Sequence, residues 1–382
     1  MTDIQNPQDQ RSAHRAYWLD LARALAIISV SVNHAMHRSF SIGTGSHDEF
    51  MLMSAPASAL KALLYLFSRI GVPLFLMISG ALLVSRDFGE KPVLGRFIRH
   101  NWWGLLRTTL IWLFIFFWYL QIGRESILRT KGFLPAVINC LNTLCFFNQT
   151  TLGSMWYMPM ILCIYLMIPV ISVALNRLGD KYVLALASIV LISGMIIPNL
   201  NTILDLAGAD LQIEWSINRL HIFSLYLVYV LAGYWISTGK PEKIGSASLW
   251  GIFSLGVAAT ALFQYWIYSF PGEPGEYRLD YSDIGVFVVS VSLFELFRRN
   301  ARVLKKLKRP VTCLARIAFG IFFVHIAVMD ILVHLCESRL PSLSLFPKFI
   351  LLESVTIALS VFIILTTSKI RFFRQYLYLI KD

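Results

Sequence analysis

The sequence predicts an all-α integral membrane protein with about ten transmembrane helices and with both termini in the cytoplasm. Two observations support this fold class. Hydrophobic residues make up 57% of the 382 residues and charged residues make up 15%, whereas soluble domains contain about 25% charged residues. The apolar residues also gather in long runs, each close to the roughly 20 residues that a spanning helix needs.

The predicted helices follow these apolar runs in order. They lie at about 17–36, 57–84, 102–121, 151–174, 180–198, 219–237, 247–270, 283–297, 312–337 and 347–368. No polar stretch is long enough to bury a core of its own, so we expect one transmembrane domain over 17–371 with cytoplasmic tails at 1–16 and 372–382. The polar start is longer than that of a signal peptide, so the first helix is expected to stay in place.

The orientation follows from the distribution of basic residues. The formal net charge of +12 is also compatible with nucleic-acid binding, but the basic residues sit in short loops, as cytoplasmic loops do. With the N-terminus inside, roughly 21 Lys and Arg residues fall inside and roughly 7 outside. The predicted outer loops around Asp205–Glu214 and Glu273–Asp283 are acidic. We therefore expect a multi-pass membrane protein with cytoplasmic termini and no nucleic-acid partner.

The five cysteines do not suggest a metal or redox site. None of them forms a CxxC pair, which is the usual spacing of such sites. Cys140 and Cys145 are close enough in sequence to pair in an oxidising compartment, although unpaired cysteines are the simpler interpretation. The sequence therefore predicts no metal.

The first helix carries an unusual number of ionisable residues, which are costly inside a membrane and normally face the protein interior or water. Arg23 and His34 are eleven residues apart, so they share one face and stand roughly 16 Å apart along the axis. Asp20 lies three residues before Arg23 and can pair with it. The alternatives are that Asp20 and Arg23 only anchor the helix at the interface, and that His34 is a packed, hydrogen-bonded histidine. His37 is expected at the interface.

The second run contains a deeply placed arginine. Arg69 lies well inside this run and requires a carboxylate, a carbonyl or an anionic ligand there. Pro73 and the glycines Gly71 and Gly80 can unwind the helix where it lines a cavity. The alternative is a helix-packing seam of small residues.

Two further places are candidates for binding. Arg96 and Arg99 are three residues apart, and paired guanidinium groups suit a phosphate or pyrophosphate. On spacing alone a basic anchor beside lipid headgroups is the preferred interpretation of this pair. His325 sits in the middle of a late helix, where a packing role and a site role are equally compatible with the pattern.

These residues resemble the motifs of the acyltransferase family 3 membrane proteins. The matching segments are Arg23 with His34, Gly71-Val-Pro-Leu-Phe-Leu-Met-Ile-Ser-Gly80, Arg96-x-x-Arg99, Met155-Trp156-Tyr157 with Ile164-Tyr165-Leu-Met-Ile-Pro169, and Phe319-Gly-Ile-Phe-Phe-Val-His325. Phe322 stands where the family more often has tyrosine. The segments occur in order from about Tyr17 to about Ala327, and the chain is most similar to O-acetyltransferases of cell-surface polysaccharides.

The resemblance implies a reaction and catalytic roles. Members of the family take an acyl group, usually acetyl, from cytoplasmic acetyl-CoA and pass it to a sugar on the outer side. It implies that His34 is the general base or, alternatively, a nucleophile that carries the acyl group. Arg69 is the first candidate donor to the oxyanion and Tyr157 the second. Arg23 either orients the thioester or pairs with Asp20.

The resemblance also implies binding roles. Arg96 and Arg99 would hold the phosphates of acetyl-CoA, and Trp156, Tyr157 and His325 would contact the sugar. The expected partners are acyl-CoA, a glycan or lipid-linked sugar, and the lipid bilayer. Two alternatives remain: a secondary transporter for an anionic solute or lipid-linked sugar, which the lack of an internal repeat disfavours, and a non-catalytic member of a polysaccharide assembly complex.

Overall fold

The computed structural model describes residues 7–121, 127–146, 155–209, 213, 225–239, 243–272, 277–336, 340 and 343–380, with side chains from Tyr17 onward. Within these ranges all regular secondary structure is helical. The predicted all-α fold class is therefore confirmed for the part of the chain that the structure describes.

The described residues form sixteen α-helices. They are α1 Pro7–Ser39, α2 Ser46–Leu52, α3 Ala55–Arg69, α4 Gly71–Leu83, α5 Lys91–Phe97, α6 Trp103–Leu120, α7 Ile127–Thr130, α8 Phe133–Leu144, α9 Tyr157–Leu178, α10 Asp180–Leu191, α11 Ile197–Leu206, α12 Leu225–Ser237, α13 Ser246–Tyr268, α14 Ile284–Asn300, α15 Lys308–Leu335 and α16 Leu345–Thr367. Short π-helices join α5 to α6 (Ile98–Trp102) and α10 to α11 (Ile192–Ile196), and a third spans Phe373–Leu377.

Within the described residues, 8 segments are long and apolar enough to cross a membrane. They match eight of the predicted runs, and α3 with α4, α5 with α6, and α10 with α11 each form one span. The other two predicted runs are the shorter helices α12 and α14, of 13 and 17 residues. The first part of the run 219–237 lies outside the described residues. The orientation of the termini stays a prediction.

The chain divides into two compact units. The first unit contains Met1–Ser85 and Leu175–Val361, and the second contains Arg86–Ala174 and Phe362–Asp382. In the first unit, α1 packs against α3, α4, α14 and α15, while α4 packs against α12. Helix α1 is therefore central to the first unit.

Glycines allow the closest of these helix contacts. A Cβ atom on Gly80 would lie 1.8 Å from the carbonyl oxygen of Val230, and one on Gly233 would lie 2.0 Å from that of Met77. Helices α4 and α12 therefore touch backbone to backbone through one glycine from each side, as small residues allow in membranes. This is the packing seam that the sequence offered as the alternative for the second run.

The second run is interrupted where its arginine lies. Helix α3 ends at Arg69 and α4 begins at Gly71, with Ile70 between them in right-handed conformation. Pro73 has no N–H group for the carbonyl of Arg69, the residue four positions earlier. The interruption is thus one residue long and directly follows the candidate site residue.

The C-terminal segment of the second unit packs against α6. The Thr108 hydroxyl donates to the Tyr376 carbonyl at 2.7 Å, and the Trp112 indole donates to the Leu377 carbonyl at 2.9 Å. Leu377 and Tyr378 are buried. Residues that the sequence places in a cytoplasmic tail therefore belong in part to the packed structure.

Candidate active site

His34 lies on α1 and is available for chemistry. Its side chain is half-buried, and its ring centroid lies 5.2 Å from that of His325. Among the described residues, neither ring nitrogen of His34 has a hydrogen-bond partner. The alternative of a packing histidine held by a neighbouring helix through hydrogen bonds does not describe this environment.

His325 has a fixed tautomer. Its Nδ1 lies 2.8 Å from the carbonyl oxygen of Ile321, and because a carbonyl only accepts hydrogen bonds, Nδ1 carries the proton. In the neutral ring, Nε2 then carries a lone pair. This Nε2 is buried and has no hydrogen-bond partner within the described residues. The side chain has no accessible surface, so His325 presents an unused acceptor beside His34.

Arg69 is held by tyrosines rather than by a carboxylate. It donates hydrogen bonds to the hydroxyl groups of Tyr65 and Tyr281. Its guanidinium carbon lies 4.8 Å from the Tyr65 ring centroid and 5.6 Å from that of Tyr281. Its Nε is buried without a partner in the described part of the chain. Aromatic faces attract the cation, but no carboxylate of the described residues lies within ion-pair distance of Arg69, and a buried arginine in a membrane segment is typical of a functional site.

The arginine and the histidines of α1 share one region. The charge of Arg69 acts on both His34 and His37, and the His37 ring packs edge-on against Tyr65 at 6.3 Å between centroids. His37 is exposed. The structure therefore places His34 beside His325 and connects His37, one turn along the same helix, through Tyr65 to Arg69.

A loop covers this region. We call Tyr277–Asp283 the capping loop. The Tyr65 hydroxyl donates to the Leu279 carbonyl at 3.4 Å, and the Tyr229 hydroxyl donates to the Tyr281 carbonyl at 2.7 Å. Gln264 accepts from the Leu279 N–H at 3.2 Å. Side chains of three helices, α3, α12 and α13, thus fix the main chain of the loop above Tyr65 and Arg69.

Asp20 and Arg23 form a separate pair on α1. The Arg23 guanidinium lies 3.2 Å from the Asp20 carboxylate, and both side chains are partly exposed. The Thr312 hydroxyl of α15 donates to the same carboxylate at 3.0 Å. Arg23 therefore lies eleven residues before His34 on α1, with its charge already matched by Asp20.

The remaining predicted site residues belong to the second unit. Arg96 and Arg99 are exposed, and neither has an ion pair or side-chain hydrogen bond with a described residue. Trp156 lies in the turn before α9 and Tyr157 begins that helix, with the two rings 6.2 Å apart and perpendicular. Two guanidinium groups three residues apart, without a partner among the described residues, suit phosphate groups.

Sequence reasoning missed several residues of the first unit. Tyr65 has a detectable signal, since it lies four residues before Arg69 and so shares its helix face. Glu353 also had one, being a carboxylate inside an apolar run. It accepts a hydrogen bond from the Ser31 hydroxyl at 2.8 Å, while its Oε1 is buried without a partner among the described residues. Tyr281 and the capping loop had no such signal.

The structure thus defines a multi-span helical membrane protein. Its polar site contains two histidines and an arginine that has no carboxylate of the described residues within ion-pair distance. The chain belongs to acyltransferase family 3, because the model of the family's acyltransferase domain matches residues 16–367. The resemblance noted in the sequence is confirmed at the level of the family, and the protein is a membrane acyltransferase. No curated protein and no solved structure gives a significant match. Among the described residues, no group of three or more His, Cys, Asp or Glu side chains is placed to hold a metal ion.

Proposed function

We propose that this protein transfers an acetyl or other short acyl group from cytoplasmic acyl-CoA to a hydroxyl group of a cell-surface or lipid-linked glycan. The transfer would take place across a bacterial inner membrane. The observation that carries this proposal is His34, which has no hydrogen-bond partner among the described residues and lies one helical turn before His37, whose ring packs against the Tyr65 that holds Arg69. Acyl transfer to a hydroxyl needs a base for the hydroxyl proton and a donor for the oxyanion, and His34 and Arg69 supply both.

His34 acts in this proposal as the general base. Histidine is the side chain that most often serves as a general base in enzymes. Once His34 is protonated, its second N–H needs an acceptor, and the ring of His325, with an unpartnered Nε2, lies 5.2 Å away between centroids. His325 is then a positioning residue that holds the charged form of His34, in addition to the contact with the sugar that the sequence suggested.

Arg69 stabilises the oxyanion in this proposal. Its two tyrosine partners fix the guanidinium without neutralising it, so its positive charge remains for negative charge that develops in the transition state. Preorganised donors of this kind contribute about 10²–10³-fold to the rate. Tyr157 belongs to the second unit and remains the second candidate for the same role.

The acyl donor would be held by the second unit. Arg96 and Arg99 have no protein partner among the described residues, so both guanidinium groups remain available for the phosphates of acyl-CoA. Trp156 and Tyr157 supply aromatic surface for a sugar. Arg23 would orient the thioester arm from its ion pair with Asp20.

Sealed vesicles containing the purified protein test the proposal against the transporter alternative. Radiolabelled acetyl-CoA is enclosed, and a mixture of glycans extracted from bacterial envelopes is supplied outside. The proposal predicts label in the outer glycan together with free coenzyme A inside. Flux of an anionic solute without consumption of acetyl-CoA would show a transporter instead.

A further inference from the structure

A second arginine of the site region has no part in the chemistry proposed above. Arg278 lies on the capping loop and is exposed. Its side chain crosses Gly43, where a Cβ atom would come within 2.9 Å of the Arg278 Nε. Gly43 also has a φ of 86°, which few other residues adopt. The loop after α1 therefore leaves space for the arginine to lie flat across it.

The main chain beside Arg278 contacts the tyrosine that holds Arg69. The carbonyl of Leu279, the next residue in the chain, accepts a hydrogen bond from the Tyr65 hydroxyl at 3.4 Å, and Tyr65 is also the hydrogen-bond partner of Arg69. Two guanidinium groups thus approach one region from α3 and from the capping loop.

Two carboxylates lie on the capping loop, and neither is within ion-pair distance of Arg69 or Arg278. Asp283 accepts hydrogen bonds from the Tyr277 hydroxyl and the Asp280 N–H group. Asp280 accepts from the Tyr281 N–H at 2.7 Å. The acidic groups of the capping loop are therefore bound to the loop itself. Among the described residues, Arg278 has neither a hydrogen bond nor an ion pair.

Some other cations of the first unit show the contrast. Among the described residues, five have a carboxylate within ion-pair distance: Arg23 with Asp20, Arg38 with Asp330, Lys61 with Glu49, and Arg298 and Arg299 with Glu295. The buried Lys61 is thus paired, whereas Arg69 and Arg278 flank one region and neither has a carboxylate within ion-pair distance in the described part of the chain.

We propose that this place binds an anionic group of the acceptor, a sugar carboxylate or a sugar phosphate. The inference rests on the proposed function, since it names the class of acceptor that the same site would take. A guanidinium fork matches both anions with two parallel hydrogen bonds. Because Arg278 is exposed, it recognises the acceptor, and Arg69 remains with the reacting group.

Binding to the full chain in lipid nanodiscs tests the inference without requiring catalysis. The probes are glucuronate, glucose 1-phosphate and glucose, measured by calorimetry at low salt, where Coulombic contacts are least screened. We expect at least one anion to bind wild type about 10-fold more tightly than glucose, as charge-assisted hydrogen bonds allow. Arg278→Gln should remove this preference and leave the affinity for glucose unchanged, and Arg278→Lys should retain part of it.

Arg302→Gln is the matched control. It removes one exposed positive charge beyond the far end of α14, which starts right after the capping loop, and should leave all three affinities as in wild type. Tighter binding of glucuronate would identify the anionic group of the acceptor as a carboxylate. Tighter binding of glucose 1-phosphate would identify it as a phosphate. Equal affinities in wild type and Arg278→Gln, or an equal loss in Arg302→Gln, would overturn the inference.

Acyl transfer to the same sugars separates this inference from the proposed function. If Arg278→Gln loses anion binding but no sugar is acylated under any condition, the anion site stands and the proposed function fails. If neutral and anionic sugars are acylated at equal KM by wild type, the proposed function stands and the anion site is wrong. Both are supported when Arg278→Gln raises KM for the anionic sugar and leaves kcat unchanged.

Discussion

The imidazole rings of His34 and His325 lie 5.2 Å apart between centroids, one on the first helix and one on the fifteenth. The contact is possible because α1 packs along α15. The hydrogen bond of His325 to Ile321 fixes which nitrogen carries the lone pair. His34, which has no hydrogen-bond partner among the described residues, thus lies next to His325, which is fully buried and held by its own hydrogen bond.

Replacing His325 should slow the chemical step rather than weaken substrate binding. We expect His325→Ala to lower kcat about 10- to 100-fold with little change in KM, because protonated His34 loses its acceptor. His325→Gln should recover part of the rate, since its amide can bond to Ile321 and still offer an oxygen. Steady-state kinetics check both, with His334→Ala on the same helix as the control. A rise in KM alone would contradict a positioning role.

Removing the hydroxyl of Tyr65 should lower activity although the ring remains. Tyr65→Phe deletes the oxygen to which Arg69 donates, so the guanidinium is less well fixed. The expected loss in kcat is about 10-fold, the size of one hydrogen bond to a charged group. Tyr268→Phe is the control, because the Tyr268 hydroxyl is buried with no hydrogen-bond partner in the described residues. Equal activity of the two variants would argue against Arg69 as the oxyanion donor.

The capping loop should lose stability as the pH rises from about 4 to about 6. Burial raises the pKa of Asp283, which lies just before α14, to about 6, although hydrogen bonds from Tyr277 and Asp280 and the charge of Arg69 act in the other direction. The folded state thus binds the proton more tightly than the unfolded state, so the stabilisation is complete below about pH 4 and is lost as Asp283 ionises.

Thermal unfolding across this pH range checks the Asp283 prediction. Wild type should show a lower Tm at pH 7 than at pH 4.5 relative to Asp283→Asn, which keeps one acceptor oxygen for the hydrogen bond from Tyr277 or from Asp280 and does not ionise. A difference between the two proteins that does not change with pH would show that Asp283 does not titrate there.

Adding a methyl group at the seam between α4 and α12 should destabilise the fold. In Gly233→Ala the new Cβ would lie 2.0 Å from the backbone oxygen of Met77, so the helices must separate. Such overpacking costs about 1–3 kcal/mol. Gly251→Ala on α13 is the control, since a Cβ there meets nothing within 4 Å, and alanine favours a helix over glycine by about 1 kcal/mol. Unfolding in detergent measures both, and equal midpoints would contradict the backbone contact.

The fold was predictable because a membrane requires long apolar helices. Each apolar run predicted from its length overlaps a helix among the described residues. The site was predictable in part. His34 and Arg69 stand out because ionisable residues in apolar runs are rare. Glu353 carries the same signal and was missed, since no second ionisable residue lies three or four positions from it to draw attention to it.

The rest of the site depends on contacts between segments far apart in sequence. Nothing in the pattern around Arg278 or Tyr281 shows that their loop covers Tyr65, because hydrogen bonds from three helices fix it there. Likewise, the pairing of Arg38 with Asp330 joins α1 to α15 and becomes visible only with the fold. Sequence spacing predicts contacts within a helix, not the choice of partner between helices.

The rate of acyl transfer by His34→Ala tests the central claim most directly. Wild type and variant are compared in nanodiscs with labelled acetyl-CoA and extracted envelope glycans, and His334→Ala controls for loss of an imidazole outside the site. The account predicts a fall of at least about 10²-fold for His34→Ala, with its Tm and its binding of coenzyme A unchanged. Full transfer activity in His34→Ala would contradict the assignment of His34 as the reacting histidine.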